Sequence, residues 1–106
     1  MIIRETTGYK NSYKKIKRNP DLKFQLSKVI SHIEAVKNFD ELQNHPISYI
    51  YDFEVLRGDL SGFYKFTINQ KNNKLRLLFS CENNVIILEF ISDEHYMDFK
   101  RYLRKL

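Results

Sequence analysis

One apolar stripe limits the fold of this chain more than any other feature. Between residues 22 and 36 apolar side chains recur at spacings of three and four, at Leu22, Leu26, Val29, Ile30, Ile33 and Val36. This spacing is that of an amphipathic helix, which buries one face against other structure. Asn19 and Pro20 stand just before the stripe and predict an N-cap followed by a proline in the first turn. The chain therefore contains a helix of about four turns that needs a surface to pack on.

The residues after Gly62 change to a period of two, which predicts the strands of that surface. One run puts Tyr64, Phe66 and Ile68 on one face, and a second does the same for Leu75, Leu77, Phe79 and Cys81. Residues 69–74 predict a polar turn between them. The pair Asn83-Asn84 predicts a tight hairpin, because asparagine tolerates positive φ. The apolar run 85–91 is typical of a central strand.

The remaining segments complete an α+β order. Residues 2–6 predict a first strand, and Tyr9, Tyr13 and Ile16 recur as they would on a first helix. Between residues 38 and 50 the signal is weak: 39–42 suggest a helical turn, and Asn44-His45-Pro46 suggests a loop. A final helix is predicted after Ser92 or Asp93. The predicted architecture is an N-terminal strand and two helices packed on an antiparallel sheet of about four strands, with a C-terminal helix.

Size and charge restrict the function. With 106 residues, the chain is expected to form one domain over 1–106. No apolar run approaches the roughly 20 residues that cross a bilayer, and a single cysteine gives no internal disulfide. We therefore expect a cytoplasmic protein without a membrane partner. The net charge of +5 favours an acidic partner such as nucleic acid, although clustered lysines also serve as a solvated surface. Cations crowd the first helical stretch, at Lys10, Lys14, Lys15, Lys17 and Arg18.

Two short motifs carry the chemistry. The first, from Glu54 to Tyr64, puts a carboxylate and Arg57 on a glycine-punctuated turn that leads into a strand. The second sets His95 beside Tyr96, and Arg76 lies on a strand between the two motifs. A base, a fixed cation and a proton donor are the groups that cleavage of RNA through its own 2′-hydroxyl requires.

Each of these residues also has a structural interpretation. Glu54 could be a solvated turn carboxylate, and Arg76 could pair with Glu89 on the neighbouring strand. His95 could be a surface histidine and Tyr96 a packing residue of the last helix. The three histidines are far apart in the sequence and Cys81 has no thiol companion, so we expect neither a metal nor another cofactor.

These motifs resemble a known family. Residues 54–64 resemble the Pro-Glu-Pro-Leu-Lys…Leu-Ser-Gly-Phe/Tyr-Trp segment of the YoeB branch of the RelE/ParE toxin superfamily, with Glu54, Leu56 and Leu60-Ser-Gly-Phe63 in register. Residues 74–79 are similar to its His-Arg-Leu-Val-Tyr strand, which places Arg76 on its arginine. Residues 91–96 are similar to its closing His-Tyr pair. The element order fits over nearly the whole chain.

The resemblance implies a toxin of a type II toxin-antitoxin system. Such a toxin is a ribosome-dependent, metal-independent endoribonuclease that cuts mRNA and is restrained by a cognate antitoxin. The implied catalytic residues are Glu54, Arg76, His95 and Tyr96. The implied RNA-binding residues are Arg57, Lys65, Lys14, Lys15 and Arg18. A homodimer and a toxin-antitoxin hetero-oligomer both remain open.

The chain also departs from that branch. Phe66 and Thr67 stand where the branch carries paired arginines, and the predicted final helix is an addition. Two other functions on the same fold therefore stay open. One is a ParE-like toxin that targets DNA gyrase, and the other is a non-catalytic module that binds nucleic acid or protein.

Overall fold

A computed structural model of the protein describes residues 1–16, 19–70 and 73–92. Within these ranges five strands form one sheet, in the order β1-β5-β4-β3-β2. The strands are β1 (Ile2–Glu5), β2 (Glu54–Val55), β3 (Tyr64–Gln70), β4 (Asn73–Glu82) and β5 (Val85–Ser92). The predicted α+β class is confirmed, and the predicted C-terminal helix lies outside the described residues.

The sheet is mixed, whereas the sequence predicted an antiparallel one. Strand β1 pairs with β5 in parallel, from Ile2 opposite Val85 to Glu5 opposite Leu88. The other three pairings are antiparallel. A parallel neighbour requires a long crossover connection, and here helices supply it. Strand β2 is the fifth strand, and its two residues are too few to show an alternating pattern.

Two long helices, α1 (Thr7–Ile16) and α2 (Pro20–Ala35), form where the apolar spacing predicted them. Asn19 caps α2, and its Oδ1 accepts hydrogen bonds from the backbone N–H groups of Asp21 and Leu22 at 3.1 and 3.2 Å. The predicted stripe is buried at Leu22, Leu26, Val29, Ile33 and Val36, with Ile30 partly buried against it. Local spacing and capping therefore predict the start and the buried face of α2, which ends at Ala35 with Val36 already extended.

Two short helices, α3 (Phe39–Asn44) and α4 (Pro46–Ile50), fill the region where the sequence signal was weak. The Oδ1 of Asn38 accepts from the backbone N–H of Glu41 at 2.8 Å and caps α3. His45 lies between the helices with an extended backbone, as expected of a residue before proline. The loop predicted at residues 44–46 is thus a single-residue junction.

The β4–β5 hairpin turns at the predicted asparagines, which have φ angles of 51° at Asn83 and 62° at Asn84. Asn84 has a second role, because its Oδ1 accepts from the backbone N–H of Phe39 at 3.0 Å. Its Nδ2 also donates to the carbonyl of Lys37 at 3.3 Å. The hairpin therefore fixes the connection between α2 and α3. The β3–β4 pairing extends to Gln70 opposite Asn73, which makes that turn shorter than predicted.

The core lies between the helices and one face of the sheet, which we call the inner face. It contains Phe66 and Ile68 of β3, Leu75, Leu77 and Phe79 of β4, and Ile86, Leu88 and Ile91 of β5, packed against α1 and α2. The rings of Phe66 and Phe79 stack with centroids 5.1 Å apart. A smaller cluster of Leu56, Leu60 and Leu78 lies on the other face, with Phe63 and Phe90 beside it. None of the helices in the described ranges is both long and apolar enough to cross a membrane.

Candidate nuclease site

Strand register brings three of the predicted site residues to one face of the sheet. Glu54 on β2 lies opposite Lys65 on β3, and Arg76 on β4 lies opposite Thr67 on β3. Since Lys65 and Thr67 are two residues apart, all four side chains point to the same side. That side is opposite the inner face, because these residues alternate with Phe66, Leu75 and Leu77 of the core. We call it the outer face, defined by Lys65, Thr67, Arg76 and Leu78.

Glu54 and Lys65 form an ion pair on this face. The Nζ of Lys65 is 2.8 Å from the Oε2 of Glu54, and the two side chains are 11% and 51% exposed, respectively. The sequence predicted Glu54 on a turn, but it belongs to β2, because the backbone pairs with β3 before the turn begins. The carboxylate is thus held by strand pairing and by a neighbouring ammonium, while half of the side chain remains accessible.

The turn after β2 holds Arg57 and the two glycines that the sequence assigned to turn geometry. Gly58 and Gly62 have φ angles of 64° and 92°, which favour glycine. The backbone N–H of Leu56 donates to the carbonyl of Phe63 at 3.1 Å and closes the loop. Arg57 is exposed at the start of a single 3₁₀ turn, Gly58–Leu60. Its position next to β2 is compatible with the predicted contact with RNA.

Arg76 lies in the middle of the sheet. It is half-buried and lies between Thr67 on one neighbouring strand and Ser92 on the other. The sequence offered Glu89 on the neighbouring strand as a partner for Arg76, but Ser92 lies opposite Arg76, and Glu89 is the residue skipped at the register shift between Leu78 and Phe79. Burial raises the pKa of Glu89. The cation therefore has two hydroxyl residues as its cross-strand neighbours.

Thr67 is a residue of this face that sequence reasoning did not select as part of the site. It is 8% exposed, and no hydrogen-bond partner is found in the described structure for its buried Oγ1. The signal was present in the alternation of β3, which puts Thr67 on the same face as Lys65. It was overlooked because threonine is common in strands and carries no charge.

The size of the arrangement suits one phosphodiester. Adjacent strands are about 4.8 Å apart and alternate residues on a strand are about 6.7 Å apart, so the Cα atoms of Glu54 and Arg76 are roughly 12 Å apart. Both side chains leave the same face of the sheet, and each is long enough to reach a group that lies above the strand between them. The separation thus permits joint contact with one substrate group.

Two of the remaining predicted site residues, Lys14 and Lys15, are described and do not lie at this place. Lys14 and Lys15 are exposed on the last turn of α1, which packs on the inner face. They therefore lie on the helix side of the sheet, away from Glu54. Arg18, His95 and Tyr96 lie outside the described residues. Among those that are described, no three His, Cys, Asp or Glu side chains group as they would around a metal ion.

Two histidines that are distant in sequence are neighbours in the structure. The rings of His32 on α2 and His45 lie 4.9 Å apart between centroids. The Oγ of buried Ser48 donates to the carbonyl of Leu42 at 2.6 Å and lies 3.0 Å from the Nε2 of His32. Because the hydroxyl proton is already used, His32 Nε2 donates this bond. Burial, reinforced by His45 and opposed by Glu41, lowers the pKa of His32. This junction joins α2 to α4, so His32 has a structural role.

Comparison with known proteins adds the fold family. No protein-family model matches the chain, and no curated protein matches it. Solved structures do match. YafQ from Escherichia coli strain BL21(DE3) is 15% identical with a TM-score of 0.60, over 87% of this chain and 91% of that one. The YoeB-YefM complex from Staphylococcus aureus gives 22% identity and a TM-score of 0.58, over 91% and 98% of the two chains. The toxin-antitoxin complex RelBE2 from Mycobacterium tuberculosis gives 16% identity and a TM-score of 0.53, over 88% of this chain and 96% of that one.

These likenesses define the class of fold. The same architecture occurs in YafQ, in the YoeB-YefM complex and in the toxin-antitoxin complex RelBE2, and it extends over most of this chain and of each matched chain. The chain has the RelE/ParE-like toxin fold, which confirms the fold that the motif resemblance implied.

Proposed function

We propose that this protein is the toxin of a type II toxin-antitoxin system and acts as a ribosome-dependent, metal-independent endoribonuclease that cleaves mRNA. One observation carries the proposal. On a RelE/ParE-like fold, a half-exposed carboxylate, an ammonium and a guanidinium share one face of three adjacent strands. These are the charges that cleavage through the 2′-hydroxyl needs.

The proposed mechanism assigns each described residue one task. Glu54 takes the proton of the attacking 2′-hydroxyl, since a positioned carboxylate with an accessible oxygen serves as a general base. Lys65 engages Oε2 of that carboxylate and places its positive charge beside the reacting phosphate. Arg76 binds the non-bridging oxygens, for which its planar fork is suited. The charge that develops on the phosphorane is thereby neutralised.

The proton for the departing 5′-oxygen must come from another group. We propose His95 or Tyr96 for this step, on the basis of the motif resemblance. Arg57 and the α1 cations Lys14 and Lys15, together with Arg18, are proposed to bind RNA away from the scissile bond. Since the lysines lie on the helix side, they would contact a different part of the substrate or of the ribosome.

A translating bacterial extract with a reporter mRNA tests the proposal. We expect the wild-type protein to cut the message only in the presence of ribosomes, at 5′ ends that primer extension locates. Glu54→Gln and Arg76→Ala should each slow cutting by about 10²–10³-fold. Glu34→Gln, which changes an exposed carboxylate on α2, is the matched control and should cut at the wild-type rate.

The same extract separates the alternatives. DNA breaks that depend on gyrase, without mRNA cuts, would instead identify a ParE-like toxin. The absence of both would favour a non-catalytic binding module. The ion pair is the observation that supports this second candidate, since Lys65 could serve only to hold β2 against β3.

A cognate antitoxin is the proposed partner. Two of the matched structures are toxin-antitoxin complexes, YoeB-YefM and RelBE2. The net charge of +5 favours an acidic segment as the inhibitor of a cationic face. Co-expression with the product of the neighbouring gene should restore growth if that product is the antitoxin. We propose the cytoplasm as the site of action, because translating ribosomes are found there.

A further inference from the structure

The outer face contains a buried hydroxyl that costs free energy as the structure stands. Thr67 is 8% exposed, and its Oγ1 makes no hydrogen bond within the described part of the chain. Burial of an unsatisfied hydroxyl is unfavourable, and nearly all buried polar side chains avoid it. An exception in the middle of a regular strand therefore requires an explanation.

The surroundings of this hydroxyl indicate what it would bind. Arg76 lies directly opposite Thr67 on β4, and directly opposite residues have Cβ atoms about 5 Å apart. Lys65 is the next side chain on the same face of β3, with its Nζ already beside the carboxylate of Glu54. The carboxylate of Glu54 offsets the charge of Lys65, whereas the guanidinium of Arg76 attracts anions. An oxyanion is therefore an acceptor that the Thr67 hydroxyl and Arg76 can share.

We propose that Thr67 binds a phosphodiester of the RNA, with its hydroxyl donating to a non-bridging oxygen that Arg76 also contacts. This inference rests on the proposed function, because it names a further ligand in the same site. The guanidinium has five N–H donors and can serve more than one acceptor. The hydroxyl lies out of contact with solvent in the free protein, so binding requires a local rearrangement that exposes it. Binding then supplies the hydrogen bond that the free protein lacks.

The proposal predicts opposite changes in stability and affinity from one substitution. Thr67→Val keeps the side-chain shape and removes the hydroxyl. Without an unsatisfied buried group, the variant should melt about 4 °C or more above the wild type. It should also bind a short 2′-O-methyl oligonucleotide, which cannot be cleaved, about tenfold more weakly. Thr67→Ser keeps the hydroxyl and should retain the affinity of the wild type.

Inorganic phosphate provides the second probe. The melting temperature of the wild type should rise more with phosphate than with chloride of equal ionic strength, and Thr67→Val should lose that difference. Binding only of free phosphate, with oligonucleotide affinity unchanged by Thr67→Val, would overturn the assignment to RNA. A valine variant that melts below the wild type would overturn the premise, because it would show that the hydroxyl is already satisfied. An absence of mRNA cutting by the wild type would count against the nuclease but would leave these binding measurements valid.

Discussion

The two faces of the sheet are built from different kinds of residue and serve different purposes. On the inner face Phe66, Leu77 and Phe79 are fully buried beneath α1 and α2. On the outer face the same strands present Lys65, Thr67 and Arg76, next to the smaller of the two apolar clusters found in the described part of the chain. One strand pair thus supplies the folding free energy from one side and the candidate chemistry from the other.

The difference explains how a small domain can tolerate a polar face. Burial of apolar area on the inner face is the main stabilising contribution, at about 25 cal/mol for each Å² removed from water. Charged and hydroxyl side chains on the outer face add little or act against stability. The strands can hold these groups in place because their position is fixed by packing on the opposite side.

The largest expected effect is a loss of stability on the inner face. Phe79→Ala removes a ring with no exposed area that stacks on Phe66, so the free energy of unfolding should fall by about 3–5 kcal/mol. Urea denaturation followed by circular dichroism measures this. Phe24→Ala is the matched control, because that ring is 59% exposed on α2 and its loss should cost about 0.5 kcal/mol or less. Equal losses in the two variants would contradict the assignment of Phe79 to the core under the inner face.

A smaller effect concerns pH and belongs to the helix side of the molecule. Since burial lowers the pKa of His32 below its ordinary value of 6.5, the unfolded chain binds a proton that the folded chain resists. His32 therefore leaves the free energy of unfolding unchanged above pH 6.5 and lowers it as the pH drops below that value. For one proton the slope cannot exceed about 1.4 kcal/mol per pH unit. Urea midpoints measured at about pH 5, 6 and 7 test this expectation.

The control for this prediction is His32→Gln, which retains a donor for Ser48 and cannot titrate. The slope below pH 6.5 should be reduced in the variant. Glu89 changes stability with pH in the opposite direction. Burial raises its pKa, so the folded state binds a proton before the unfolded state does as the pH falls. The difference between wild type and variant therefore isolates His32. Identical pH profiles for the two proteins would show that the junction between α2 and α4 does not titrate.

Local patterns of sequence were sufficient for the helices and turns. The stripe of α2, the cap at Asn19 and the hairpin at Asn83 each depend on residues within a few positions of one another. The parallel pairing of β1 with β5 was not predictable, because its partners are more than 80 residues apart and either edge of the sheet could receive the strand. A two-residue strand such as β2 is also too short to carry a period.

The site was predictable in its charges but not in its contacts. The motif resemblance identified Glu54, Lys65 and Arg76 as separate residues with separate roles. Their common face follows from strand register, which the sequence restricts only through alternation. The ion pair, the buried hydroxyl of Thr67 and the neighbouring rings of His32 and His45 all depend on contacts between different elements. Such contacts leave no signature in a single sequence.

The smallest expected effect is the coupling between Glu54 and Lys65. The 2.8 Å contact would suggest a strong ion pair, but half of the Glu54 side chain is accessible to water, which weakens the attraction. A double-mutant cycle with Glu54→Gln and Lys65→Met should give a coupling of about 1 kcal/mol or less in the free energy of unfolding. Lowering the salt concentration should increase this coupling slightly, because screening of the half-exposed Glu54 carboxylate decreases. A coupling of several kcal/mol would mean that the pair holds β2 in the sheet, and the outer face would then be structural as well as functional. A small coupling would mean that the pair adds little to stability. That result would favour the proposed role of Glu54 and Lys65 beside the phosphate.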